Sequence, residues 1–171
     1  MKAGLGLAAL AAMALAGCQS MSDQPARASA GLAATKGNKI EGEVTFEQVG
    51  DKVRVVAQVV RLKPNQEHGF HIHEVGDCSS GDGMSAKGHF NPFGKPHGRG
   101  PERHAGDLPA LKADAKGRAK LTVDLDIVTL APGPASIIGR AVIVHADPDD
   151  YTTQPTGNAG ARIACGVIKA Y

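Results

Sequence analysis

The sequence predicts an all-β protein, an antiparallel β-sandwich or β-barrel with two long loops. The chain of 171 residues contains 22 glycines and 10 prolines, which is typical of many turns and short strands. Apolar and polar residues alternate along several stretches, as they do on strands that have one face in water. No stretch of the body has the apolar periodicity of a long amphipathic helix.

The alternating stretches follow one another as antiparallel strands would. Apolar residues from Ile40 to Phe46 alternate with glutamates and a threonine, and Val49-Gly50-Asp51 supplies a turn into the next stretch. A second turn ends at Gly117, which takes the left-handed position. The predicted strands cover residues 40–46, 52–62, 119–125, 137–145 and 162–170.

The overall composition excludes several classes of protein. Nineteen basic residues almost balance 17 acidic ones, whereas a nucleic-acid-binding protein usually has a large basic excess. A hydrophobic content of 42% supplies a real core and excludes wholesale disorder. Aromatic residues are only 4% of the chain and tryptophan is absent, so that core must be aliphatic.

The first 17 residues are interpreted as an export signal rather than as part of the fold. Lys2 precedes an apolar run, Ala3 to Ala16, that is too short to span a bilayer. The run ends in Leu15-Ala16-Gly17-Cys18, which resembles a bacterial lipoprotein signal in which Cys18 is lipidated. The alternative is a plain signal peptide with an incidental cysteine. Residues 18–37, rich in Ser, Ala and Gln, are interpreted as a flexible tether, and the protein is expected in the cell envelope or periplasm.

Two segments break the strand pattern, and we expect them to carry function. Residues 75–106 are rich in glycine, proline and histidine, and residues 146–161 are rich in Pro, Asp and Gly. Structureless loops of this length are uncommon in a compact domain and are usually functional. Their few apolar residues cannot hold them in place, so another interaction must.

Six of the seven histidines suggest metal binding. On a strand, His71 and His73 would share one face while Phe70 and Ile72 enter the core. His89, His97, His104 and Asp107 would form a closed four-ligand zinc site. His145 ends an apolar strand and completes two histidine clusters on either side of one sheet, whereas His68 is interpreted as structural. Taken singly, each of these histidines is more often a structural or surface residue.

Two cysteines support the same picture. Cys78 opens the long loop and Cys165 lies on the last predicted strand, and export would place both in an oxidising compartment. A bridge between them would stabilise the fold by about 4–5 kcal/mol in the chain-entropy model and would hold the histidine loop against the sheet. The alternative is two free buried thiols.

Four motifs at family-like spacing make the chain resemble copper–zinc superoxide dismutase of the bacterial exported type, over roughly Asn38 to Lys169. The motifs are His68-Gly69-Phe70-His71-Ile72-His73-Glu74, Gly88-His89-Phe90-Asn91-Pro92, Arg103-His104-Ala105-Gly106-Asp107-Leu108 and Thr156-Gly157-Asn158-Ala159-Gly160-Ala161-Arg162-Ile163-Ala164-Cys165-Gly166. The resemblance implies a Greek-key antiparallel β-barrel or sandwich, of immunoglobulin-like architecture, over residues 38–171. It also implies dismutation of superoxide in the cell envelope, with copper and zinc ions as cofactors.

The resemblance also implies a role for each site residue. The copper ligands would be His71, His73, His89 and His145, and the zinc ligands would be His89, His97, His104 and Asp107. His89 would bridge the metals and act in catalysis, and Arg162 would guide the anionic substrate at the mouth of the site. Asp149 would link one copper histidine to one zinc histidine. Cys78 and Cys165 would form the family disulfide.

The chain departs from the eukaryotic pattern at two places. His97 and His104 are closer in sequence than in the common pattern, and the loop over 146–161 has no lysine to steer the substrate. Two other functions compete with the enzyme: a copper carrier or buffer on the same fold, and a structural lipoprotein with unused histidines. The expected partners are superoxide as substrate, a membrane through the lipid anchor only and no nucleic acid, and the protein would be a monomer or a homodimer.

Overall fold

A computed structural model describes residues 25–171, so the predicted export signal and Cys18 lie outside the described residues. The regular secondary structure of the described residues is all β-strand, except for one turn of 3-10 helix at Met84–Ala86. Within residues 25–171, no helix is long and apolar enough to cross a membrane. The strands are β1 (Arg27–Ala34), β2 (Glu41–Val49), β3 (Lys52–Val60), β4 (Glu67–His68), β5 (Phe70–His73), β6 (Leu111–Lys112), β7 (Ala119–Leu125), β8 (Ala141–His145), β9 (Arg162–Val167) and β10 (Lys169–Ala170).

The strands form one curled antiparallel sheet, and the predicted fold class is confirmed. Its order is β5-β8-β9-β1-β2-β3-β7, with β10 beside β1 and a separate pair formed by β4 and β6. Strand β1 connects the two halves of the sheet, since it pairs with β2 over most of its length and with β9 at its end. The sheet therefore encloses its own core.

Alternation along the strands produces that core. In β3 every second residue is fully buried, and valine and alanine fill these positions. Phe46 and Phe70 are the largest side chains inside, as expected for a core that is otherwise aliphatic. Gly50 and Gly117 have positive φ angles of 61° and 70°, so both predicted turns are present.

The interpretation of residues 18–37 as a tether is wrong for the part that the structure describes. Residues 27–34 form β1, whose Ala28, Ala30 and Leu32 enter the core. Alanine, serine and glycine have low strand propensity and a weak hydrophobic signal, which hid this strand in the sequence. The backbone of β1 packs closely on β9, since a Cβ at Gly166 would lie 2.5 Å from the carbonyl oxygen of Gly31.

Two predicted strands were too long. The strand predicted from Ile137 begins only at Ala141, because Arg140 N–H turns back to the carbonyl of Ile137 at 3.1 Å. The strand predicted over 162–170 is divided into β9 and β10 around Ile168. Both predicted long loops exist. The first loop covers residues 74–110 and the second loop covers residues 146–161.

Candidate metal centre

Strand β5 divides its side chains between the core and the site. Phe70 and Ile72 point into the core, and His71 and His73 lie on the opposite face, as predicted. Both histidines are nevertheless fully buried, because the two loops cover that face of the sheet. His145 reaches the same face from the end of β8, which pairs with β5.

The first loop is attached to β5 by short β-bridges. His89 bridges to His73, Asp107 bridges to His71, and Phe90 N–H donates to the carbonyl of Ile72 at 2.8 Å. Gly106 must be glycine, because a Cβ there would lie 2.2 Å from the carbonyl oxygen of Ile72. These bridges bring the loop histidines to the strand histidines.

The structure gathers the predicted site residues into two groups that share His89. The four-histidine group is His71, His73, His89 and His145, and the mixed group is His89, His97, His104 and Asp107. Within each group one ligand atom from every residue lies within 4.8 Å of the others. All seven residues are buried.

The four-histidine group presents four ring nitrogens that have no hydrogen-bond partner. They are Nδ1 of His71 and Nε2 of His73, His89 and His145. Buried polar atoms are almost always hydrogen-bonded, so four unpartnered nitrogens in one place indicate a binding site for a metal ion. The four lone pairs are the ligand set that copper(II) prefers.

Hydrogen bonds to the other ring nitrogens fix which nitrogen is free. His73 Nδ1 donates to the carbonyl of Lys87 at 2.9 Å, and His145 Nδ1 donates to the carbonyl of Gly160 at 3.2 Å. His71 Nε2 donates to the Asp149 carboxylate at 2.7 Å. Each acceptor keeps the proton on the ring nitrogen that faces it. The opposite nitrogen of each ring therefore keeps its lone pair for a metal.

The mixed group has the spacing of a tetrahedral site. Asp107 oxygens lie 2.8, 3.0 and 3.4 Å from Nδ1 of His89, His97 and His104, and Nδ1 of His104 lies 3.5 Å from Nδ1 of His89. In a tetrahedron with zinc–ligand bonds of about 2.0–2.1 Å, neighbouring ligand atoms are about 3.3 Å apart. The short spacing between His97 and His104 therefore does not prevent the site from forming.

Asp149 links the two groups, as the resemblance implies. Its Oδ2 accepts from His71 Nε2 at 2.7 Å, and its Oδ1 accepts from His97 Nε2 at 2.9 Å. Asp149 is buried, and a Cβ at Gly157 would collide with its carboxylate at 1.9 Å. One carboxylate thus orients one ring of each group.

Burial keeps His71, His73 and His145 neutral. Burial lowers the pKa of His71 and His73 well below its usual value, and the neighbouring His89 adds to the shift. Burial also lowers the pKa of His145 to about 4. Neutral imidazoles bind metals without releasing a proton, so the lone pairs are available at neutral pH.

Interactions between carboxylates and imidazoles set the pKa values in the mixed group. Burial opposes ionisation of Asp107, but the contacts with His89 and the Gly98 N–H bring its pKa below the usual value. Burial also opposes protonation of His97, yet the hydrogen bond to Asp149 and the charge of Asp107 raise its pKa. A permanent carboxylate beside imidazoles suits a divalent cation.

Arg162 begins β9 and is held beside the four-histidine group. Its two terminal nitrogens donate to the carbonyls of Gly83 at 2.7 Å and Lys87 at 2.6 Å. Burial lowers its pKa, and an arginine remains charged at any physiological pH. That charge adds to the effect of burial in lowering the pKa of His73 and His145.

The predicted disulfide is present. Cys78 in the first loop is bonded to Cys165 on β9, with their Cα atoms 5.8 Å apart and a sequence separation of 87. The bond fixes the part of the first loop that supplies Gly83 and Lys87, the two acceptors of Arg162. His68 is structural, as predicted, since its Nδ1 donates to the carbonyl of His145 at 2.9 Å.

The sequence patterns did not predict the residues that act through backbone groups, nor two residues of the second loop. Lys87 offers its carbonyl to both His73 and Arg162, and no side-chain pattern predicts such a contact. Tyr151 and Gln154 contact the mixed group without contributing a ligand. The two glycine-requiring contacts at Gly106 and Gly157 were visible only as part of glycine-rich motifs.

Comparison with known proteins agrees with this geometry. The family model described as copper/zinc superoxide dismutase matches residues 40–168. The chain belongs to the copper/zinc superoxide dismutase family. Superoxide dismutase [Cu-Zn] 1 of Aquifex aeolicus is 44% identical over 154 residues, covering 85% of this chain and 89% of the relative. Superoxide dismutase [Cu-Zn] of Paramecium bursaria Chlorella virus 1 is 46% identical over 138 residues, covering 75% and 72%.

Solved structures also match this dismutase. The clock protein EA4 superposes with a TM-score of 0.77 at 43% identity and covers 85% of this chain and 95% of its own. A SOD-like protein from Bacillus subtilis superposes with a TM-score of 0.74 at 35% identity, covering 81% and 95%. The family and the named relatives identify this chain as a superoxide dismutase, an enzyme of the copper/zinc type.

Proposed function

We propose that the protein converts superoxide to dioxygen and hydrogen peroxide by a one-electron cycle of copper in the four-histidine group, supported by zinc in the mixed group. The observation that carries this proposal is the set of four buried, unpartnered imidazole nitrogens, one of them on a ring shared with the mixed group. Superoxide dismutation is the activity of the family to which the chain belongs.

The donor atoms fit the two metals. Four imidazoles suit copper(II), and three imidazoles with one carboxylate suit zinc in a closed structural site. Bound copper would supply the one-electron couple that no side chain provides. The remaining steps depend on residues of the chain.

His89 is the residue that can carry a proton. Its Nδ1 faces the mixed group while its Nε2 faces the four-histidine group and has no partner. In the overall reaction one superoxide loses an electron and leaves as dioxygen, and a second gains that electron and two protons to form hydrogen peroxide. His89 Nε2 would hold one of these protons at the reacting oxygen, and solvent would supply the other.

Arg162 supplies a fixed cation close enough to His73 and His145 to help lower the pKa of both rings. Its guanidinium is held by two carbonyls and so cannot swing away from the site. A fixed cation favours the approach and the correct placement of a small anion. Asp149 holds His71 and His97 so that neither ring turns during the cycle.

We further propose that the enzyme works in the cell envelope, held to a membrane by lipid on Cys18. The support is the apolar run that ends in Leu15-Ala16-Gly17-Cys18, together with the disulfide, which is typical of oxidising compartments. Superoxide is the only partner proposed apart from the lipid anchor and a second copy of the chain; we propose no nucleic-acid partner.

The test is metal analysis combined with turnover. Metal-free protein is loaded with copper and zinc, and the rate of superoxide loss is measured by pulse radiolysis. We expect one copper and one zinc per chain and rapid turnover; Asp107→Ala should lose zinc but keep copper, and His145→Ala should lose copper but keep zinc. A copper carrier would bind both ions and show no turnover, which would contradict the proposed cycle.

A further inference from the structure

Besides Asp149, the second loop contacts the mixed group through two residues that contribute no ligand. They are Tyr151 and Gln154, and both contact the segment around His97. A loop that lies beside a ligand can decide how firmly that ligand is held.

The Tyr151 side chain interacts with the first loop at two places. Its ring is parallel to the ring of His97 within 6°, with centroids 6.3 Å apart. Its hydroxyl accepts from Ala110 N–H at 2.9 Å, three residues after Asp107 in the first loop. One side chain thus joins a histidine of the mixed group to the segment that follows the carboxylate of the group.

The other side of Tyr151 is also fixed. The guanidinium carbon of Arg99 lies 3.6 Å from the centre of the tyrosine ring, a cation–π contact. The backbone N–H of Tyr151 donates to Asp149 Oδ1 at 2.7 Å, the same oxygen that accepts from His97. The residue has a φ of 57°, a left-handed conformation that is uncommon for a bulky side chain and needs such contacts to persist.

Gln154 holds the main chain of His97. Its Oε1 accepts from His97 N–H at 2.8 Å and its Nε2 donates to the His97 carbonyl at 2.9 Å. The amide therefore pairs with both polar groups of one residue, as a neighbouring β-strand would. The rest of Gln154 faces solvent.

We propose that Tyr151 is a positioning residue for zinc, holding His97 and the Asp107–Ala110 segment in the arrangement that binds the ion, with Gln154 as a second contact on His97. The inference rests on the proposed zinc role of the mixed group. It assigns to the second loop the retention of a metal whose ligands all lie in the first loop. Partners of this kind typically change metal affinity about 10–100-fold when they are removed.

The experiment measures zinc affinity of the full-length protein by competition with a chelator, starting from metal-free protein. We expect Tyr151→Ala to weaken zinc binding about 10–100-fold. Tyr151→Phe, which keeps the ring and loses the hydroxyl, should weaken it by up to about tenfold. Gln154→Ala should fall in the same range as Tyr151→Phe. The matched controls are Tyr171→Phe, at an exposed tyrosine, and Gln58→Ala, at an exposed glutamine on β3.

The visible spectrum of cobalt(II) in place of zinc gives a second measurement, because its bands report ligand geometry. Tyr151→Ala should shift these bands, and the two controls should keep the wild-type spectrum. Tyr151→Phe and Gln154→Ala serve the same purpose should the alanine variant fail to fold. Wild-type affinity and spectrum in all three variants would overturn the role of Tyr151 and leave the zinc site standing. Failure of wild type to bind zinc or cobalt would overturn both.

Discussion

Several residues of this site act by accepting a hydrogen bond from a candidate ligand and not by serving as a ligand themselves. Each ring of the four-histidine group donates its proton to a carbonyl or carboxylate, which leaves the opposite nitrogen free. Removing the acceptor of His71, His73 or His145 does not remove a ligand, but it frees the ring to rotate or to change tautomer. The local chemistry is therefore set as much by Lys87, Gly160 and Asp149 as by the histidines.

Arg162 should control anion capture and not metal binding. Superoxide is small and charged, and exposed charges beyond about 8 Å are screened at physiological salt, so a local cation must do most of the guidance. Arg162→Ala should retain both metals and lose about tenfold or more in the second-order rate, and Arg162→Glu should lose more. Pulse radiolysis across ionic strength measures this, and the rate of the glutamate variant should rise with salt.

Arg162→Lys is the matched control for that experiment. It keeps a positive charge but cannot donate to Gly83 and Lys87 in the same forked geometry. We expect its rate to lie between those of wild type and alanine. Equal rates for all four proteins would make Arg162 an ordinary surface residue with no part in guidance.

The buried histidines should make the metal-free fold sensitive to acid. His71, His73 and His145 have pKa values lowered by burial, in His145 to about 4, so they stay neutral in the fold while the unfolded chain takes up protons below about pH 6.5. The unfolded state then binds more protons, and the free energy of unfolding falls as the pH falls from about 6.5 towards 4. His97, whose pKa is raised, works in the opposite direction but is outnumbered.

Urea unfolding of the metal-free protein at a series of pH values measures this dependence. One fully buried neutral histidine contributes about 1.4 kcal/mol per pH unit across that window, so we expect a loss of at least about 1 kcal/mol per unit. His145→Gln, which does not titrate, should show a shallower slope. A stability that stays constant or rises between pH 6.5 and 4.5 would show that these rings are protonated in the fold.

At the scale of elements, sequence patterns predicted those strands that carry large apolar side chains. β2, β3 and β7 alternate valine, phenylalanine and leucine with polar residues, and all three were predicted close to their observed bounds. β1 was missed because its inward residues are mainly alanine, which has little hydrophobic signal and low strand propensity. The histidine groups were predictable because the side chains themselves are the candidate ligands. A backbone acceptor such as the Lys87 carbonyl is present in every residue type, so the sequence does not reveal it.

The corrected start of the domain gives a direct test. Because β1 joins β2 to β9, a chain that starts at Asn38 loses the strand that connects the two halves of the sheet. We expect a chain that starts at Pro25 to fold, and one that starts at Asn38 to be insoluble or to unfold at a much lower temperature. Circular dichroism and thermal unfolding compare them, and equal stability would show that β1 is dispensable.

At the scale of the whole molecule, three kinds of attachment hold the loops over the sheet. The disulfide fixes the first loop to β9, the Asp149 carboxylate fixes the second loop to both histidine groups, and backbone bridges fix the first loop to β5. All three attachments are made by atoms of the chain itself. They hold both loops against the face of the sheet on which the two histidine groups lie.

The whole protein should also be attached to a membrane through Cys18. The small residues before this cysteine and the apolar run preceding them are the basis of the prediction. Cys18→Ser should release the protein from the membrane fraction or block its processing, while wild type should carry a lipid on Cys18. Mass spectrometry of the mature N-terminus and cell fractionation measure this, and a soluble wild type with an unmodified cysteine would contradict the prediction.

The backbone conformation of Lys87 has a consequence for how this position tolerates substitution. Its φ of 63° and ψ of −145° lie close to a region that is essentially restricted to glycine, yet its carbonyl accepts from both His73 and Arg162. The lysine side chain takes no part in either bond. Glycine at position 87 should therefore preserve both hydrogen bonds. A β-branched residue disfavours this conformation, so it would move the carbonyl and displace both His73 and Arg162. The two hydrogen bonds therefore depend on the main-chain conformation of residue 87 and not on the charge of its side chain.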